Sequence, residues 1–370
     1  MADVTVVIPT LGRPSLFELV DALPPIPTLV VDDRPDRDAP LKLPPHVRVL
    51  PGRSAGPAAA RNTGWRAATT DWVVFLDDDV MPGSDWATRL DEDLRDAGPD
   101  VGGVQAVLRV PLPPDRRPTD WERVTAGLAD GEWITADMAY RRAALQATGG
   151  FDERLPRAFR EDAELAHRVR GAGWVLRRGL RSTTHPVRPE HRWISLRTQR
   201  GNADDALLRH LYGPRWRSVL QVPPGRRHRH AAVTAAGATA LTAAALLAAR
   251  RASTALPAGR RASTALRAST ALRASAGRPA GRGARGRRTL MAAAAIGGLV
   301  WAAGTAEFAW ARIAPGPRDR REVTTMLLTS AAIPPVAVTQ WVRGWLRWRG
   351  AEPMSPVARR TEPERAEALR

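Results

Sequence analysis

The sequence changes character near residue 220, and this change limits the architectures that the chain can adopt. Before it, short apolar runs of strand length alternate with longer helical patterns, as in an ordinary soluble enzyme. After it, Ala-rich apolar blocks are separated by Arg, Gly and Pro. With 370 residues, 44% of them hydrophobic, the chain can bury a substantial core, so a single small domain is excluded. We predict one domain over 1–220 and a different kind of region after it.

Strands and helices alternate in the first region. The predicted strands are Val4 to Pro9, Thr28 to Asp32, Val47 to Leu50 and Trp72 to Leu76. The predicted helices are Ser15 to Ala22, Ala58 to Ala68, Asp85 to Asp96, Arg141 to Gln146 and Asp162 to Ala172. This alternation predicts an α/β fold with a mainly parallel sheet covered by helices on both faces. Ligands bind at the carboxyl ends of the strands in such sheets, and three of these ends carry polar residues of interest.

Two uncharged blocks near the carboxyl end have about the length of membrane helices. Leu290 to Ala306 spans seventeen residues, and Thr324 to Val342 spans nineteen with two prolines inside. Both approach the length needed to cross about 30 Å of hydrocarbon, and Trp residues near their ends suit the membrane interface. We therefore predict a pair of transmembrane helices within 290–345, with arginine-rich flanks on the inner side. Buried helices of a soluble domain are the alternative, because Ala contributes little to insertion.

The segment 221–289 combines a further apolar block with an arginine-rich repeat. The block Ala231 to Ala249 is uncharged but mostly Ala and Thr, so the sequence leaves its insertion as a membrane helix open. RASTAL then occurs at 251, 261 and 267, and residues 250–288 hold eleven Arg and no acid, which supplies most of the net charge of +18. So few large apolar residues predict a solvated linker that lies on anionic lipid headgroups. Nucleic-acid binding is disfavoured because no aromatic residue is interleaved to stack on bases. A charged tail, 346–370, completes the chain.

The chain contains no cysteine. Disulfide scaffolds, thiolate zinc sites, iron–sulfur clusters and cysteine nucleophiles are thereby excluded, and a reducing, cytoplasmic setting is the simplest fit. The first ten residues lack a basic region followed by an apolar one, so we expect no secretory signal.

Three consecutive carboxylates, Asp77, Asp78 and Asp79, directly follow the apolar strand that ends at Leu76. Like charges packed this tightly repel one another, and a divalent cation held on their oxygens relieves the repulsion. Mg²⁺ or Mn²⁺ bound in this way keeps positions open for substrate phosphates. A solvated turn or a helix N-cap explains such a cluster when it is taken alone, but its place at a strand end favours a metal site.

A second carboxylate pair, Asp32 and Asp33, follows another strand and could accept hydrogen bonds from a base or a ribose. Between the two sites, a Gly-Pro turn at Gly56 opens a helix of small residues whose Arg61 could reach a phosphate. A surface salt bridge is the alternative for Arg61.

Two further acids, Glu161 and Asp162, stand at the predicted start of a helix. Acids are stabilised at helix N-termini by about 0.3 to 1 kcal/mol without any catalytic role. The functional alternative is that one of them acts as general base toward a hydroxyl acceptor.

Taken in order, these motifs resemble those of family 2 glycosyltransferases, inverting enzymes of the GT-A fold. The resemblance covers about residues 4 to 215. It rests on VVIPTLGRP, VVDD, GPAAARNTGW, FLDDDV, TGGFDE and FREDAELAHRV, all in the family's order. A GT-A-type, mainly parallel sheet flanked by helices is the fold that it implies for this region.

The resemblance also implies roles for individual residues. It assigns donor nucleotide binding to Pro9, Thr10, Arg13, Asp32, Asp33, Arg61 and Asp78. It assigns the metal, Mg²⁺ or Mn²⁺, to Asp77 and Asp79, with His185 as a further metal or diphosphate ligand; a lone histidine is otherwise more often structural. Asp162, beside Glu161, would be the catalytic base, and Gly149, Gly150 and Phe151 would lie on the acceptor side.

The activity thus expected is transfer of a sugar from a nucleotide diphosphate-sugar to a hydroxyl acceptor, with inversion, at the cytoplasmic face of the cell membrane. A lipid-linked or cell-envelope acceptor fits the membrane helices. Two alternatives stay open: a non-catalytic nucleotide-binding membrane adaptor, and a metal-dependent nucleotidyltransferase. The sequence departs from the family where Arg34-Pro35 follows VVDD in place of the usual Gly-Ser, so the donor base is not inherited by analogy. His191-Arg192-Trp193 matches the basic-aromatic motif of processive synthases only loosely, so processivity is not supported.

Overall fold

The computed structural model describes residues 2–255 and 280–354, which form two compact units. The first unit comprises residues up to 225 together with 315–317 and 339–354, and the second comprises 226–314 and 318–338. The RASTAL repeats at 261 and 267 and the tail from 355 onward lie outside the described residues.

The first unit is built on a mixed eight-stranded sheet with the order β3-β2-β1-β4-β7-β6-β8-β5. Its strands are β1 Val4–Thr10, β2 Thr28–Asp32, β3 Val47–Pro51, β4 Trp72–Leu76, β5 Met81–Pro82, β6 Val101–Arg109, β7 Asp137–Arg141 and β8 Val175–Thr184. β3, β2, β1 and β4 are mutually parallel; β7 runs antiparallel to β4 and β6, and β8 runs parallel to β6 and antiparallel to β5. The α/β class is confirmed, and the sheet is parallel in the half that the sequence predicted.

The predicted helices of this unit are confirmed to within two residues at each end. They are α1 Ser15–Ala22, α2 Pro57–Ala67, α3 Trp86–Arg95, α5 Arg142–Thr148 and α6 Glu161–Gly171. The structure adds α4 Asp120–Ala126, α7 Ile194–Arg197, α8 Asn202–Tyr212 and α9 Trp216–Val219, with a 3-10 turn at Thr198–Gly201. Residues 339–347, the last turns of a long helix that begins in the second unit, also belong to this unit.

Helices cover the sheet on both faces, so alternate strand residues enter different cores. Val6 and Val74 belong to one apolar cluster, whereas Val7 and Phe75 belong to the other. α2 approaches β1 so closely that a Cβ at Gly64 would lie 2.3 Å from Val7 Cγ1, and only glycine permits this contact. The short connections after β1, β2 and β4 are thereby held at one edge of the sheet.

The second unit consists of long helices: α10 Arg227–Ala255, α11 Ala280–Ile313 and the first part of α12 Arg320–Arg347. By length and composition, all three are apolar enough to cross a membrane. The two predicted blocks lie in α11 and α12, and the block that the sequence left open lies in α10. The described residues therefore contain three candidate spans where a pair was predicted.

Candidate active site

Side chains from the carboxyl ends of β1, β2 and β4 and from the start of α6 converge at one edge of the sheet. β1 ends at Thr10, β2 leads into Asp32 and Asp33, and β4 leads into Asp77. The parallel pairing of these three strands brings their carboxyl ends to the same edge.

Asp77, Asp79 and His185 form a group that could hold a metal ion, since one ligand atom of each lies within 4.8 Å of the others. His185 follows β8, whose last residue pairs with Met81, so the antiparallel β5–β8 pairing delivers the imidazole to the end of β4. His185 Nδ1 lies 3.2 Å from Pro186 O. When Nδ1 donates that bond, the Nε2 lone pair is left free to bind a cation, an arrangement common among metal-binding histidines.

The charge on this group favours a cation. Burial raises the pKa of Asp79 and the neighbouring Asp77 raises it further, whereas His185 and Arg188 oppose the shift. Arg188 Nε lies 2.8 Å from Asp79 Oδ2. Carboxylate oxygens and one imidazole nitrogen fit Mn²⁺ or Mg²⁺, and such an ion would offset both the burial and the repulsion that raise the pKa of Asp79. Arg188 was not predicted from the sequence, because it lies in a loop outside every recognised motif.

Asp78 points away from this group and is buried against the end of β1. Its carboxylate accepts hydrogen bonds from Thr10 Oγ1 at 2.6 Å and from Arg13 Nη1 at 2.5 Å. These three predicted donor-binding residues thus bind one another, and they join the β1 loop to the turn after β4. Pro9, the fourth in this part of the chain, pairs with Val31 in the β1–β2 ladder.

Asp32 and Asp33, proposed as alternatives for base recognition, have different surroundings. Arg34 donates to both oxygens of Asp32, from Nε at 2.9 Å and from Nη2 at 2.7 Å. The hydrogen bond from Arg34 lowers the pKa of Asp32 although burial opposes it. Asp33 Oδ2 accepts from Gly56 N at 2.8 Å, and its Oδ1 is buried with no hydrogen-bond partner within the described chain. Arg34, which departs from the family pattern, therefore binds both oxygens of Asp32, whereas Asp33 keeps one oxygen without a hydrogen-bond donor in the described chain.

Arg61 is a buried bridge between the two acidic groups, with 1% of its surface exposed. Its Nη2 donates to Asp77 Oδ1 at 2.7 Å, and its Nη1 donates to Glu161 Oε1 at 2.8 Å. The alternative of a surface salt bridge is wrong. The two terminal nitrogens are already bound to carboxylates, so the geometry indicates that Arg61 positions these acids. Burial lowers its pKa, but the two carboxylates outweigh that effect and keep it charged.

Glu161 and Asp162 begin α6, after Arg160 in a left-handed conformation with φ of 75°. Glu161 is buried against Arg61, and its Oε2 has no hydrogen-bond partner in the described chain. Burial and then the charge of Asp162 raise the pKa of Glu161 to about 7 against the opposing effect of Arg61. Asp162 is partly exposed; its Oδ1 accepts from Ala163 N at 2.7 Å, and burial raises its pKa too. Of the two acids, only Asp162 is partly exposed.

The turn Gly149-Gly150-Phe151 has a structural role that the sequence did not predict. Both glycines adopt positive φ, 77° and 79°, and a Cβ at Gly150 would lie 2.4 Å from Asn62 Oδ1. Asn62 exchanges two hydrogen bonds of 2.9 Å with the backbone of Phe151. Phe151 is buried, and its ring lies 5.5 Å from the Arg61 guanidinium carbon. Phe151 thus supports Arg61, and the place of this turn on the acceptor side stays a prediction.

The family model described as glycosyl transferase family 2 matches residues 6–145. This segment contains β1, β2, β4 and the acidic residues at their ends. The amino-terminal part of the chain is thus similar to glycosyl transferase family 2.

Proteins from two strains of Mycobacterium tuberculosis, both named Pre-mycofactocin glycosyltransferase, are 32% identical to this chain over 230 residues. The match covers 56% of this chain and 48% of each relative, so the chain spans about half the length of the curated relatives it matches.

Solved structures with a similar fold are more distant. Glucosyl-3-phosphoglycerate synthase from M. tuberculosis, in complex with Mn²⁺, uridine diphosphate and phosphoglyceric acid, has a TM-score of 0.41 and 18% identity over 60% of this chain and 80% of that one. Residues 1–349 of S. aureus TarS, in complex with UDP, have a TM-score of 0.36 and 19% identity over 59% of this chain and 69% of that one.

Proposed function

We propose that the first unit transfers a sugar from a nucleotide diphosphate-sugar to a hydroxyl acceptor with inversion at the anomeric carbon. The observation that carries this proposal is the Arg61 bridge, which joins Asp77 to Glu161. It links the candidate metal group at the end of β4 to the acid pair at the start of α6. Glycosyl transfer needs these two functions, leaving-group stabilisation and proton abstraction, side by side.

Asp162 is the proposed general base. The carboxylate of this partly exposed residue would take the proton of the acceptor hydroxyl while that oxygen forms a bond to the anomeric carbon. The bond from the same carbon to the diphosphate breaks, and the nucleoside diphosphate leaves. Attack from the face opposite the leaving group inverts the configuration. The burial that raises the pKa of Asp162 also makes it a stronger base than an exposed aspartate.

Asp77, Asp79 and His185 are the residues that would hold a divalent cation. When bound there, Mn²⁺ or Mg²⁺ supplies positive charge to the departing diphosphate. Arg61 would position Asp77 without touching substrate, because Glu161 holds the other end of its guanidinium. Asp33 Oδ1 would accept a hydrogen bond from the nucleotide base or ribose, which is supported by its lack of a partner in the described chain and by the bonds from Arg34 to both oxygens of Asp32.

The long apolar helices support a position at the cell membrane. Nucleotide sugars are cytoplasmic, so we assign the catalytic unit to the cytoplasmic face and the acceptor to a lipid-linked or envelope glycan precursor. Nucleic acid is not a partner in this proposal.

Nucleotide binding by the full-length protein in detergent tests the donor and metal parts. Thermal melts would be recorded with UDP, GDP, dTDP or CDP, each with and without Mn²⁺. We expect one nucleotide to raise the melting temperature only when Mn²⁺ is present. The double variant Asp77→Ala/Asp79→Ala should lose this stabilisation, and the exposed pair Asp115→Ala/Asp130→Ala should keep it.

Two outcomes would contradict the proposal. No stabilisation of a folded protein by any of the nucleotides would remove the donor site. Stabilisation without turnover of any corresponding nucleotide sugar would favour the non-catalytic adaptor.

A further inference from the structure

The second unit contains two helices whose uncharged segments match each other and the thickness of a bilayer. α10 has no charged residue in the nineteen positions 231–249, and α11 has none in the eighteen positions 289–306. At a rise of about 1.5 Å per residue, each segment is about 27 to 29 Å long, close to the hydrocarbon thickness of about 30 Å. Charged residues stand at both ends of each segment: Arg229, Arg250, Arg288 and Glu307.

The two helices pack antiparallel through small residues. A Cβ at Gly297 would lie 2.7 Å from Ala236 O, and one at Gly304 would lie 2.5 Å from Val233 Cγ2. Close contact between backbones at small residues is typical of helix pairs in membranes. Larger apolar side chains point away from the pair, including Leu241 and Leu299, which are 74% and 70% exposed. The pair therefore presents an apolar surface of bilayer height, and lipid acyl chains are the partner that fits it.

One end of this pair carries a layer of polar and charged side chains. Arg226 and Arg229 form ion pairs with Glu307, and the Arg226 guanidinium lies 4.9 Å from the Phe308 ring. The Arg312 guanidinium lies 5.4 Å from the same ring, and it donates to Thr329 Oγ1 at 2.8 Å and to Ser330 Oγ at 3.1 Å. Thr329 and Ser330 are fully buried.

This layer contacts the first half of α12. Thr329 and Ser330 are the tenth and eleventh of the 28 residues from Arg320 to Arg347. They bond to Arg312, which lies beyond the uncharged positions 289–306 of α11. This part of α12 therefore lies by the charged end of the helix pair and not along its uncharged segments.

The end of α12 packs in the first unit. The Trp345 and His210 rings are 5.5 Å apart, Trp348 packs with the apolar cluster around Leu207, and Arg154 Nη1 donates to Glu352 O at 2.8 Å. Residues 344–352 and the chain before 226 therefore belong to one folded unit and lie on one side of any membrane. A chain that leaves that side and returns to it crosses an even number of times, so the three candidate spans do not all cross.

We propose that α10 and α11 cross the membrane as a hairpin and that α12 stays on the side of the catalytic unit. The proposal rests on the membrane association in the proposed function but not on the transfer reaction. The sequence predicted a different crossing pair, α11 and α12, with the arginines of 250–288 on the inner side of the membrane. In the proposed hairpin, the carboxyl end of α10 lies on the side of the membrane opposite the catalytic unit.

Single cysteines test this topology directly, because the chain has none of its own. We choose four exposed positions: Glu18→Cys in α1, Ala252→Cys near the end of α10, Pro315→Cys between α11 and α12, and Gly350→Cys after α12. Each full-length variant would be expressed in cells and treated with a membrane-impermeant maleimide before and after permeabilisation. We expect Ala252→Cys to react in intact cells, and the other three to react only after permeabilisation.

Each other pattern overturns the proposal in a distinct way. Reaction of Pro315→Cys alone in intact cells would mean that α11 and α12 are the crossing pair. Reaction of both Ala252→Cys and Gly350→Cys would mean three crossings. If all four cysteines lie on one side and alkaline carbonate releases the protein, membrane insertion fails. Nucleotide-sugar turnover measured on the same preparations reports separately on the transfer reaction.

Discussion

The α/β unit and the α10–α11 hairpin differ in where their charged and apolar side chains lie. The α/β unit buries charged side chains and pairs them: Arg181 is fully buried and bonds to Asp93, Asp137 and Val104 O. The hairpin has no charged residue over most of its length, and its large apolar side chains point outward. Burial of a charge is tolerated when partners surround it, whereas an outward apolar surface suits an apolar solvent. The comparison teaches that the two regions are built for different surroundings.

The largest expected loss of stability comes from breaking a buried charge network in the α/β unit. Arg61→Met leaves Glu161 and Asp77 without their shared cation, and removing one partner of a buried pair costs about 3 to 5 kcal/mol. The matched control is Arg66→Met on the same helix, whose side chain is 51% exposed and should cost less than about 1 kcal/mol. Thermal melts of the two variants measure the difference, and equal effects would contradict the bridging role of Arg61.

A smaller effect is expected where the hairpin helices touch. A Cβ at position 297 would lie only 2.7 Å from the backbone of α10, so the side chain of Gly297→Leu has no room. Overpacking of this kind lowers the free energy of unfolding by about 1 to 3 kcal/mol. The neighbouring Gly298 has nothing within 4 Å of a Cβ, so Gly298→Leu is a control of the same composition. The thermal stability of the two proteins in detergent should differ, with Gly297→Leu lower. Equal stability would show that the helices do not pack as described.

The smallest expected effect is a pH dependence within the α/β unit. Burial, with repulsion from Asp205, raises the pKa of Asp204 to about 6 although Arg157 opposes the shift. Between these two pKa values the folded state holds a proton on Asp204 that the unfolded state releases. Asp204 therefore contributes stability that is fully present below pH of about 4 and is lost as the pH rises through about 6. Asp204→Asn should flatten the change in melting temperature across this window, and exposed Asp130→Asn should not. An unchanged slope would place the titration elsewhere.

The sequence predicted the elements whose residues are buried in continuous runs. β1, β2 and β4 are such runs, and their bounds were correct to one residue. β6 and β8 were missed because two glycines open β6 and three arginines interrupt β8, which hides the apolar pattern. β7 was missed because it begins with a buried aspartate, Asp137, that no local pattern distinguishes from a surface residue.

Candidate site residues were found by type, but their partners were not. The acidic motifs located Asp77 and Asp162 correctly at a strand end and a helix start. Nothing local indicates that Arg61 bonds to carboxylates 16 and 100 residues away, or that Arg34 occupies Asp32. These contacts depend on how separate elements meet, so they require the fold. For the same reason, the lengths of apolar blocks identified membrane helices but not which of them cross.

Turnover of a nucleotide sugar by membranes carrying the full-length protein tests the central claim most directly. Release of the nucleoside diphosphate would be measured with UDP-, GDP-, dTDP- and CDP-sugars in the presence of Mn²⁺. We expect release from one donor, and a fall of about 10²- to 10⁴-fold in Asp162→Asn with nucleotide binding kept, as for loss of a general base. The exposed control Asp21→Asn should be unaffected. Full activity in Asp162→Asn would contradict the assignment of Asp162 as the base. If the folded protein binds nucleotide but releases nucleoside diphosphate from none of the donors, the claim that it is a glycosyltransferase is contradicted.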